Sequence, residues 1–185
     1  MRASRIEEVL RKRWGGLALV VEEVKNPHNI SAILRTADAA GVQHVYLIDP
    51  LGDGFEVNEA ISTGAEKWLT IERFYSPKLC FQALREKGFR IAATALEGNP
   101  TSIYDYDFTR KVAIVLGNEK RGVRKHTLSM ADDRIIIPMR GMVQSLNVSV
   151  SAGIILFEAI RQRIEAGIYD PLPAEEIEEL KRRLR

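Results

Sequence analysis

The stretch RIIIPMRGMVQSLNVSVSAGIILFEAIRQR, residues 134–163, decides how the rest of the chain is interpreted. It begins with a β-branched run that predicts a short buried strand, which ends at Pro138. Apolar residues then recur at helical spacing from Leu146 to Ile164 and predict a long helix. A polar turn lies between the strand and the helix. Because open α/β sheets bind ligands at the carboxyl ends of their strands, this turn is a candidate binding site.

Size and composition indicate one globular domain without a strong overall charge. The 185 residues are enough for one substantial core, and 45% hydrophobic with 28% charged residues is typical of a soluble protein. The 27 basic and 25 acidic residues leave a net charge of +2. Basic residues are nevertheless concentrated at the N-terminus, at the end of the long helix and at the end of the chain. Such clusters either bind phosphates or are simply solvated.

The chain carries a single cysteine, Cys80, which excludes an intramolecular disulfide and is expected to fill the core. Three scattered histidines and no cysteine pair give no recognisable zinc site, so no metal is expected. The N-terminus lacks the continuous apolar segment of a signal peptide or a membrane span. We therefore expect a cytoplasmic protein with no membrane partner.

Strands and helices are predicted to alternate along the chain. Terminal helices are expected over residues 3–14 and 173–185, with Gly15 and Gly16 ending the first. The predicted strands are 17–24, 42–48, 67–74, 89–96, 111–116 and 134–139, and residues 97–110 are expected to be a loop. The predicted helices between them are 30–40, 57–62, 77–87, 124–131 and 146–164. This alternation predicts an α/β domain with a mostly parallel sheet, helices on both faces and helical extensions at both ends.

Three polar loops, residues 26–35, 117–122 and 140–147, each follow a predicted strand. Each loop alone has an ordinary explanation. Asn29 could cap the helix that follows it, Arg35 could be a solvated charge, and Glu119 could be a surface carboxylate. Ser145 could cap the long helix, whereas Asn147 is expected just inside it, as a poor helix former without a capping role. The glycine fingerprint of dinucleotide-binding folds is absent, which disfavours a nicotinamide oxidoreductase.

Together, the three loops resemble the ordered motifs of the SPOUT-class RNA 2′-O-methyltransferases. The matching residues are Asn29-x5-Arg35, Leu116-Gly117-x-Glu119-x2-Gly122 and Ile137-Pro138-Met139-x-Gly141-x3-Ser145-Leu146-Asn147-Val148-Ser149. Two further stretches are similar to the TrmH-type enzymes that methylate guanosine in tRNA. They are Pro27-His28-Asn29-x-Ser31-Ala32-Ile33-x-Arg35-Thr36 and Gly141-Met142-Val143-Gln144-Ser145-Leu146-Asn147. The resemblance covers residues 17–169.

The resemblance implies a fold, an assembly and a cofactor. The expected fold is a single SPOUT domain over residues 1–185 with a deep C-terminal trefoil knot, although true knots are nearly absent from protein folds in general. The expected assembly is a homodimer whose active site uses both subunits. The implied cofactor is S-adenosylmethionine, held in the knot, in many cases through backbone groups, by Thr94, Leu116, Gly117, Ile137, Met139 and Leu146.

The resemblance also implies roles for the polar side chains. Arg35 matches the catalytic arginine of the family, supported by Asn29, Glu119, Ser145 and Asn147. Since a guanidinium with a pKa above about 12 is a poor base, we expect Arg35 to hold an RNA phosphate and to stabilise the developing alkoxide. Contacts with tRNA phosphates are expected from Arg5, Arg11, His28, Arg161 and Arg163.

The implied reaction is methylation of the ribose 2′-hydroxyl of a tRNA guanosine, with position 18 in the D-loop as the first candidate. The same chemistry could act instead on ribosomal RNA or on the wobble nucleotide of tRNA. A third possibility, from a different class, is a non-catalytic RNA-binding protein, because a fold and its motifs do not prove turnover. Binding of S-adenosylmethionine rather than NAD would separate the methyltransferase hypotheses from an oxidoreductase.

Overall fold

The computed structural model describes residues 2–52 and 58–184. The helices in these residues are α1 (Arg2–Leu10), α2 (Pro27–Ala39), α3 (Glu59–Ser62), α4 (Pro77–Glu86), α5 (Lys125–Met130), α6 (Val148–Glu165) and α7 (Ala174–Leu184). The strands are β1 (Trp14–Glu22), β2 (Val42–Ile48), β3 (Thr70–Phe74), β4 (Arg90–Thr94), β5 (Thr101–Ser102), β6 (Val112–Leu116) and β7 (Asp133–Ile136). Of the predicted helix over residues 57–62, Val57 lies outside the described residues.

The described strands form one parallel sheet in the order β3-β2-β1-β6-β4-β7-β5. Its central strands are apolar on both faces, as the run Leu17-Ala18-Leu19-Val20-Val21 in β1 shows. Leu17, Leu19 and Val21 belong to the core on one side of the sheet, and Ala18 and Val20 belong to the core on the other. The prediction of a parallel sheet buried on both faces is therefore confirmed.

Helices cover the two faces of the sheet in pairs. α2 and α6 pack against each other on one face, where Ile33, Leu34 and Ile155 are fully buried. α4 and α5 pack on the other face, where Phe81 and Leu84 enter the core. Cys80 belongs to this second core, and burial raises the pKa of its thiol to about 12. The prediction that Cys80 fills the core is confirmed.

The helices at the two ends of the described chain pack against each other at the amino edge of the sheet. Ile6 and Leu10 of α1 form a small apolar cluster with Leu172 and Leu180. Lys181 of α7 also lies 3.2 Å from the Glu7 carboxylate of α1. No helix in the described part of the chain is long and apolar enough to cross a membrane.

The first strand begins earlier than predicted, because Gly15 and Gly16 lie inside β1 rather than ending α1. A Cβ on Gly15 would come within 2.6 Å of the Pro171 carbonyl oxygen, and one on Gly16 within 2.1 Å of the Asp170 carboxylate. The glycines are needed because the segment after α6 crosses directly over the start of the strand. The predicted break was wrong, since a close backbone approach and a helix end leave the same signal in a sequence.

The segment predicted as a loop, residues 97–110, contains the short edge strand β5. Thr101 and Ser102 pair with Ile135 and Ile136 of β7. Their pairing places β7 inside the sheet, between β4 and β5. Two residues are too few to produce a readable alternation of apolar and polar side chains, so this strand could not be predicted from the sequence.

Candidate active site

The three polar loops meet at the carboxyl edge of the sheet. They follow β1, β6 and β7, at residues 23–26, 117–124 and 137–147. β1 and β6 are hydrogen-bonded neighbours, and only β4 separates β6 from β7. Because the described strands are all parallel, their carboxyl ends share one edge, and the first loop lies beside two loops that follow it about 90 to 120 positions later in the sequence.

A chain of hydrogen bonds joins the three loops. One Glu119 carboxylate oxygen accepts from Nδ2 of Asn29 at 3.1 Å and from the backbone N–H of Asn26 at 3.3 Å. Oδ1 of Asn29 accepts in turn from Nδ2 of Asn147 at 3.1 Å. Asn29 is only 8% exposed, so its amide is held between a carboxylate and a second amide. The structure thus brings together Asn29, Glu119 and Asn147, one residue from each motif.

The helix caps differ from the sequence-based prediction, and the difference explains this network. Asn26, not Asn29, caps α2: its Oδ1 accepts from the backbone N–H of His28, and Pro27 occupies the first turn. Asn29 therefore lies within the first helical turn, with its side chain free to reach Glu119. Asn147 was expected inside the long helix but is its N-cap, with Oδ1 accepting from the backbone N–H of Ser149 at 2.8 Å. The Asn-Pro pair at 26–27 was a readable signal for the first cap.

Arg35 and Ser145 are not part of this network. The Arg35 side chain is exposed and makes no ion pair or hydrogen bond to any described residue. Six residues correspond to one and two-thirds turns of helix, so Arg35 lies about 120° around the α2 axis from Asn29. Ser145 is exposed in the loop before α6 and likewise has no described partner. Arg35 therefore does not lie on the same side of α2 as Asn29.

The loop after β6 is a tight turn built around Gly117 and Asn118. The Asn118 backbone exchanges two hydrogen bonds with Gly122, at 3.1 and 2.8 Å, and its Oδ1 accepts from Lys120 N–H. A Cβ on Gly117 would come within 2.1 Å of the Val123 nitrogen, so no side chain fits there. This turn fixes where the Glu119 carboxylate points.

Two buried carboxylates that the sequence analysis missed anchor the same loop. The Glu23 carboxylate accepts hydrogen bonds from Nε of Arg124 and, at 2.7 Å, from NH2 of Arg124. The backbone oxygen of Glu23 accepts from Nδ2 of Asn118 at 2.8 Å. Glu22 accepts from the hydroxyl of Thr127 and from the backbone N–H of Arg124. Burial raises the pKa of Glu22, and these hydrogen bonds oppose the rise. Two consecutive glutamates at the end of an otherwise apolar strand were the available signal.

The loop between β7 and α6 leaves its backbone polar groups unpaired. Among the described residues, no backbone hydrogen bond is made by residues 138–146, and Met142 in this loop is 99% exposed. Backbone amide and carbonyl groups in native proteins are almost always paired, with protein, water or a ligand. The backbone groups of this exposed loop are therefore open to water or to a ligand.

The basic residues predicted to bind RNA have different environments. Arg5 and Arg11 pair with Glu8 and Glu7 on α1, Arg161 pairs with Glu158 and Glu165 on α6, and His28 is exposed at the start of α2. Exposed pairs of this kind stabilise a protein by roughly 0–1 kcal/mol, so an RNA phosphate can replace the carboxylate.

The predicted contact between Arg163 and a tRNA phosphate is wrong, because the Arg163 side chain is fully buried and cannot reach a phosphate. Its guanidinium donates to the carbonyl oxygen of Gly16 at 2.8 Å and to the carboxylate of Asp170 at 2.6 Å, and it lies over the Trp14 ring. A basic residue in the last turn of a helix looks the same in a sequence whether it is solvated or buried.

Comparison with known proteins identifies the family. The profile of the SpoU rRNA Methylase family matches residues 16–157, which is most of the chain. The chain belongs to this family. A relative from Thermus thermophilus, named tRNA (guanosine(18)-2′-O)-methyltransferase, is 47% identical over 169 residues, which cover 91% of this chain and 87% of the relative.

Two solved structures of SpoU proteins are similar to the structure of the present chain. The A. aeolicus TrmH/SpoU tRNA modifying enzyme is 43% identical, with a TM-score of 0.92 over 99% of this chain and 94% of that one. The SpoU methyltransferase AviRb from Streptomyces viridochromogenes, solved in complex with the cofactor AdoMet, is 27% identical. It has a TM-score of 0.72 over 85% of this chain and 64% of that one.

The residues predicted to bind a cofactor lie around the ends of β4, β6 and β7 in this SpoU protein. Thr94 ends β4 and its hydroxyl donates to the Val115 carbonyl oxygen at 3.2 Å, while Leu116 and Gly117 end β6. Ile137, Met139 and Leu146 belong to the loop with the unpaired backbone. Apolar side chains beside free backbone donors and acceptors fit an adenosyl group, whose base is flat, apolar on its faces and polar at its edge. Among the described residues, no group of His, Cys, Asp or Glu could hold a metal ion.

Proposed function

We propose that this chain transfers a methyl group from S-adenosylmethionine to the ribose 2′-hydroxyl of guanosine 18 in tRNA. The observation that carries the proposal is the Glu119–Asn29–Asn147 network, which joins the three motif loops at one edge of the sheet. The relatives that resemble this chain over nearly its whole length are named as tRNA-modifying enzymes, two of them for guanosine 18. They support both the reaction and the nucleotide.

The cofactor proposal rests on the strand ends of β4, β6 and β7. Thr94, Leu116, Gly117, Ile137, Met139 and Leu146 would hold S-adenosylmethionine, largely through the free backbone groups of the loop before α6. When bound, the cofactor supplies a methyl group on a positively charged sulfur. Gly117 matters because any side chain there would collide with the Gly122–Val123 backbone and displace the loop.

The chain's own residues would then position the acceptor ribose. Methyl transfer needs the 2′-oxygen in line with the donor carbon, so orientation supplies much of the acceleration. We infer that Arg35 binds an RNA phosphate with its guanidinium fork and stabilises the developing alkoxide. Asn29, Glu119, Ser145 and Asn147 would shape the surrounding site, and the proton leaves through water or another group.

We further infer a homodimer with a composite active site. Val150, Phe157 and Ile164 form a stripe along α6 at seven-residue spacing, and they are 49%, 52% and 66% exposed. Seven-residue spacing of apolar side chains is the pattern of a helix that packs lengthwise against another helix. We propose that a second copy of this chain packs against this stripe. Arg35 of that second copy would then reach the active site of the first copy.

The trefoil knot implied by the motifs is a further proposal. Strand β7 lies between β4 and β5, and residues 95–111 run from β4 out to β5 and back to β6 on the other side of β4. The chain leaves β7 from inside this loop and continues into α6. This course of the chain supports a knot in which residues 137–147 pass through the loop formed by residues 95–111. We propose that the knot belongs to a single methyltransferase domain, with α1 and α7 as helical extensions.

Contacts with tRNA outside the reaction centre would come from His28, Arg5, Arg11 and Arg161. Phosphate contacts from such residues give affinity and register rather than base choice. Recognition of a folded RNA would depend on its shape and on nucleotides that are not paired. With tRNA as its substrate, the protein would work in the cytoplasm.

The test is methyl transfer from labelled S-adenosylmethionine to unmodified tRNA transcripts, with the product located by nuclease digestion and mass spectrometry. The proposal predicts a single 2′-O-methylguanosine at position 18. Label at the wobble position would keep the chemistry and change the nucleotide; label only in ribosomal RNA, offered in a parallel reaction, would keep the chemistry and change the substrate. Cofactor and tRNA binding without transfer would point to a binding-only role.

A further inference from the structure

Some of the chain's positive charges have no partner. Among the side chains that the structure describes, several lysines and arginines make neither an ion pair nor a hydrogen bond. They are Arg35, Lys78, Lys111, Lys120, Lys125, Arg134 and Arg140. Other described cations are bonded to carboxylates, including Arg5, Arg11 and Arg161. Unpaired charges dominate the field that a surface presents to a polyanion, because the field of a close ion pair largely cancels.

The unpaired cations are concentrated at the edge that carries the candidate active site. Lys120 and Lys125 lie in the turn after β6 and at the start of α5, and Arg140 lies in the loop after β7. All three are exposed. One strand separates β6 from β7, so the two strands that lead into these loops are about 10 Å apart. Lys78, at the start of α4 after β3, extends the same edge on the other side of β1.

One of the carboxylates on these loops is neutralised by an ion pair. Glu23 is paired with Arg124, and Glu119 accepts its hydrogen bonds from Asn29 and Asn26. Glu119 and Glu97, the latter in the loop after β4, are exposed carboxylates without an ion pair to any described residue. The opposite edge offers a contrast, since Lys111 lies there at the start of β6 with its ammonium 4.7 Å from the Phe89 ring centre.

We propose that Lys120, Lys125 and Arg140 bind the RNA phosphates that flank the methylated ribose. The inference rests on the proposed function, and it moves the main phosphate contacts from the terminal helices to the loops that build the site. Arg140 can hold a phosphate with two parallel hydrogen bonds, whereas the lysines act as point charges. These contacts keep the reactive nucleotide in register without reading its base.

The experiment compares tRNA binding by Lys120→Gln, Lys125→Gln, Arg140→Gln and the triple variant with binding by the wild-type protein. Dissociation constants are measured across a series of salt concentrations. Each lost phosphate contact reduces the slope of log affinity against log salt by about 0.7 to 1. The control variant, Lys111→Gln at the opposite edge, carries the same change of charge. Arg11→Gln, in an ion pair on α1, measures the contribution of a terminal helix for comparison.

The inference predicts that each edge variant lowers the slope, that the reductions add in the triple variant, and that Lys111→Gln leaves the slope unchanged. S-adenosylmethionine binding is measured alongside, and its retention shows that the loops remain folded. Edge variants with the wild-type slope, or a larger loss in Arg11→Gln than in the triple variant, would overturn it. A wild-type protein that binds no tRNA would instead contradict the proposed function itself.

Discussion

Arg35 is the residue on which the proposed chemistry depends most. It is exposed and has no partner among the described residues, and a guanidinium is in general a poor base. A permanent cation cannot accept the proton of a ribose hydroxyl, but a planar fork can hold a phosphate and place positive charge beside a developing alkoxide.

Replacing Arg35 with lysine keeps the charge and removes the fork. We expect Arg35→Lys to lower kcat by about 100-fold or more, the typical loss for one transition-state donor, while S-adenosylmethionine binding is unchanged. Single-turnover methylation and calorimetric cofactor titration measure the two effects. Near-normal turnover by the lysine variant would mean that the geometry of the guanidinium is not required.

For Arg163 we predict an effect on stability rather than on catalysis, because its side chain contacts three segments of the chain inside the protein. Arg163→Met removes the hydrogen bonds to Gly16 and Arg110 and leaves Asp170 without its partner. We expect a loss of about 3 kcal/mol in the free energy of unfolding, the usual scale for breaking a buried pair. Arg161→Met, on the exposed side of the same helix, is the matched control and is expected to destabilise the protein much less, because exposed ion pairs contribute little to stability. Urea denaturation of both variants gives the comparison.

At the scale of single residues, the sequence predicted the site better than it predicted the caps. Motif resemblance named Asn29, Glu119 and Asn147, which the structure connects by hydrogen bonds. The capping roles of Asn29 and Asn147 were assigned wrongly, since an asparagine near a helix start satisfies the same rule at several positions. Glu22 and Glu23 were missed, because their partners, Arg124 and Thr127, lie about a hundred residues away.

At the scale of elements, the insertion of β7 between β4 and β5 is what brings the loop before α6 beside the other two motif loops. An ion pair connects β7 to β4. Nε and NH2 of Arg90 donate hydrogen bonds to the two carboxylate oxygens of Asp133, at 2.6 and 2.8 Å. The Tyr106 hydroxyl donates to the same carboxylate at 2.8 Å. The hydrogen bond from Arg90 lowers the pKa of Asp133, and partial burial opposes that effect.

This contact predicts a pH dependence of stability. Because the folded-state pKa of Asp133 lies below its ordinary value of 3.8, the contribution is fully present above that value and is lost as the pH falls through the folded pKa. The difference in unfolding free energy between the wild type and Asp133→Asn should therefore be constant near neutral pH and shrink in acid. Asp105→Asn, at an exposed aspartate, controls for the substitution itself. A difference that did not change with pH would show that the carboxylate charge does not stabilise the β4–β7 contact.

The positions of the helices and strands along the chain could be predicted from the sequence, whereas the arrangement of the strands within the sheet could not. The apolar runs of β1, β2 and β6 and the helical spacing in α6 are local signals, and each predicted element lies close to its observed position. The placement of β7 depends on the two residues of β5, which carry no periodicity. The course of the chain around β7 was implied only by resemblance, since general packing rules argue against knots.

For the whole molecule, the stripe on α6 and the orientation of Arg35 point to the same assembly. A charge placed in the middle of a helix–helix contact opposes association, because it would be buried without a partner. We expect Phe157→Asp to be a monomer by analytical ultracentrifugation and to lose methyl transfer. Tyr169→Asp, at an exposed aromatic outside the stripe, should behave like the wild type. A Phe157→Asp dimer of wild-type stability would exclude this face as the interface.

Complementation tests whether the site is shared between subunits. Arg35→Ala and Asn147→Ala are each expected to be inactive alone. If Arg35 acts on the partner's site, a mixed dimer contains one intact site, and an equal mixture should recover about a quarter of wild-type activity. If Arg35 served its own subunit, both sites of the mixed dimer would be defective and mixing would restore nothing.

The most direct test of the central claim uses two tRNA transcripts that differ in one atom. The first carries guanosine at position 18 and the second carries 2′-deoxyguanosine there, so that only the acceptor oxygen is missing. The account predicts full methyl transfer from S-adenosylmethionine to the first transcript and none to the second, with similar tRNA affinity for both. Equal methylation of the two transcripts would contradict the account, because the methyl group would then be going to another atom.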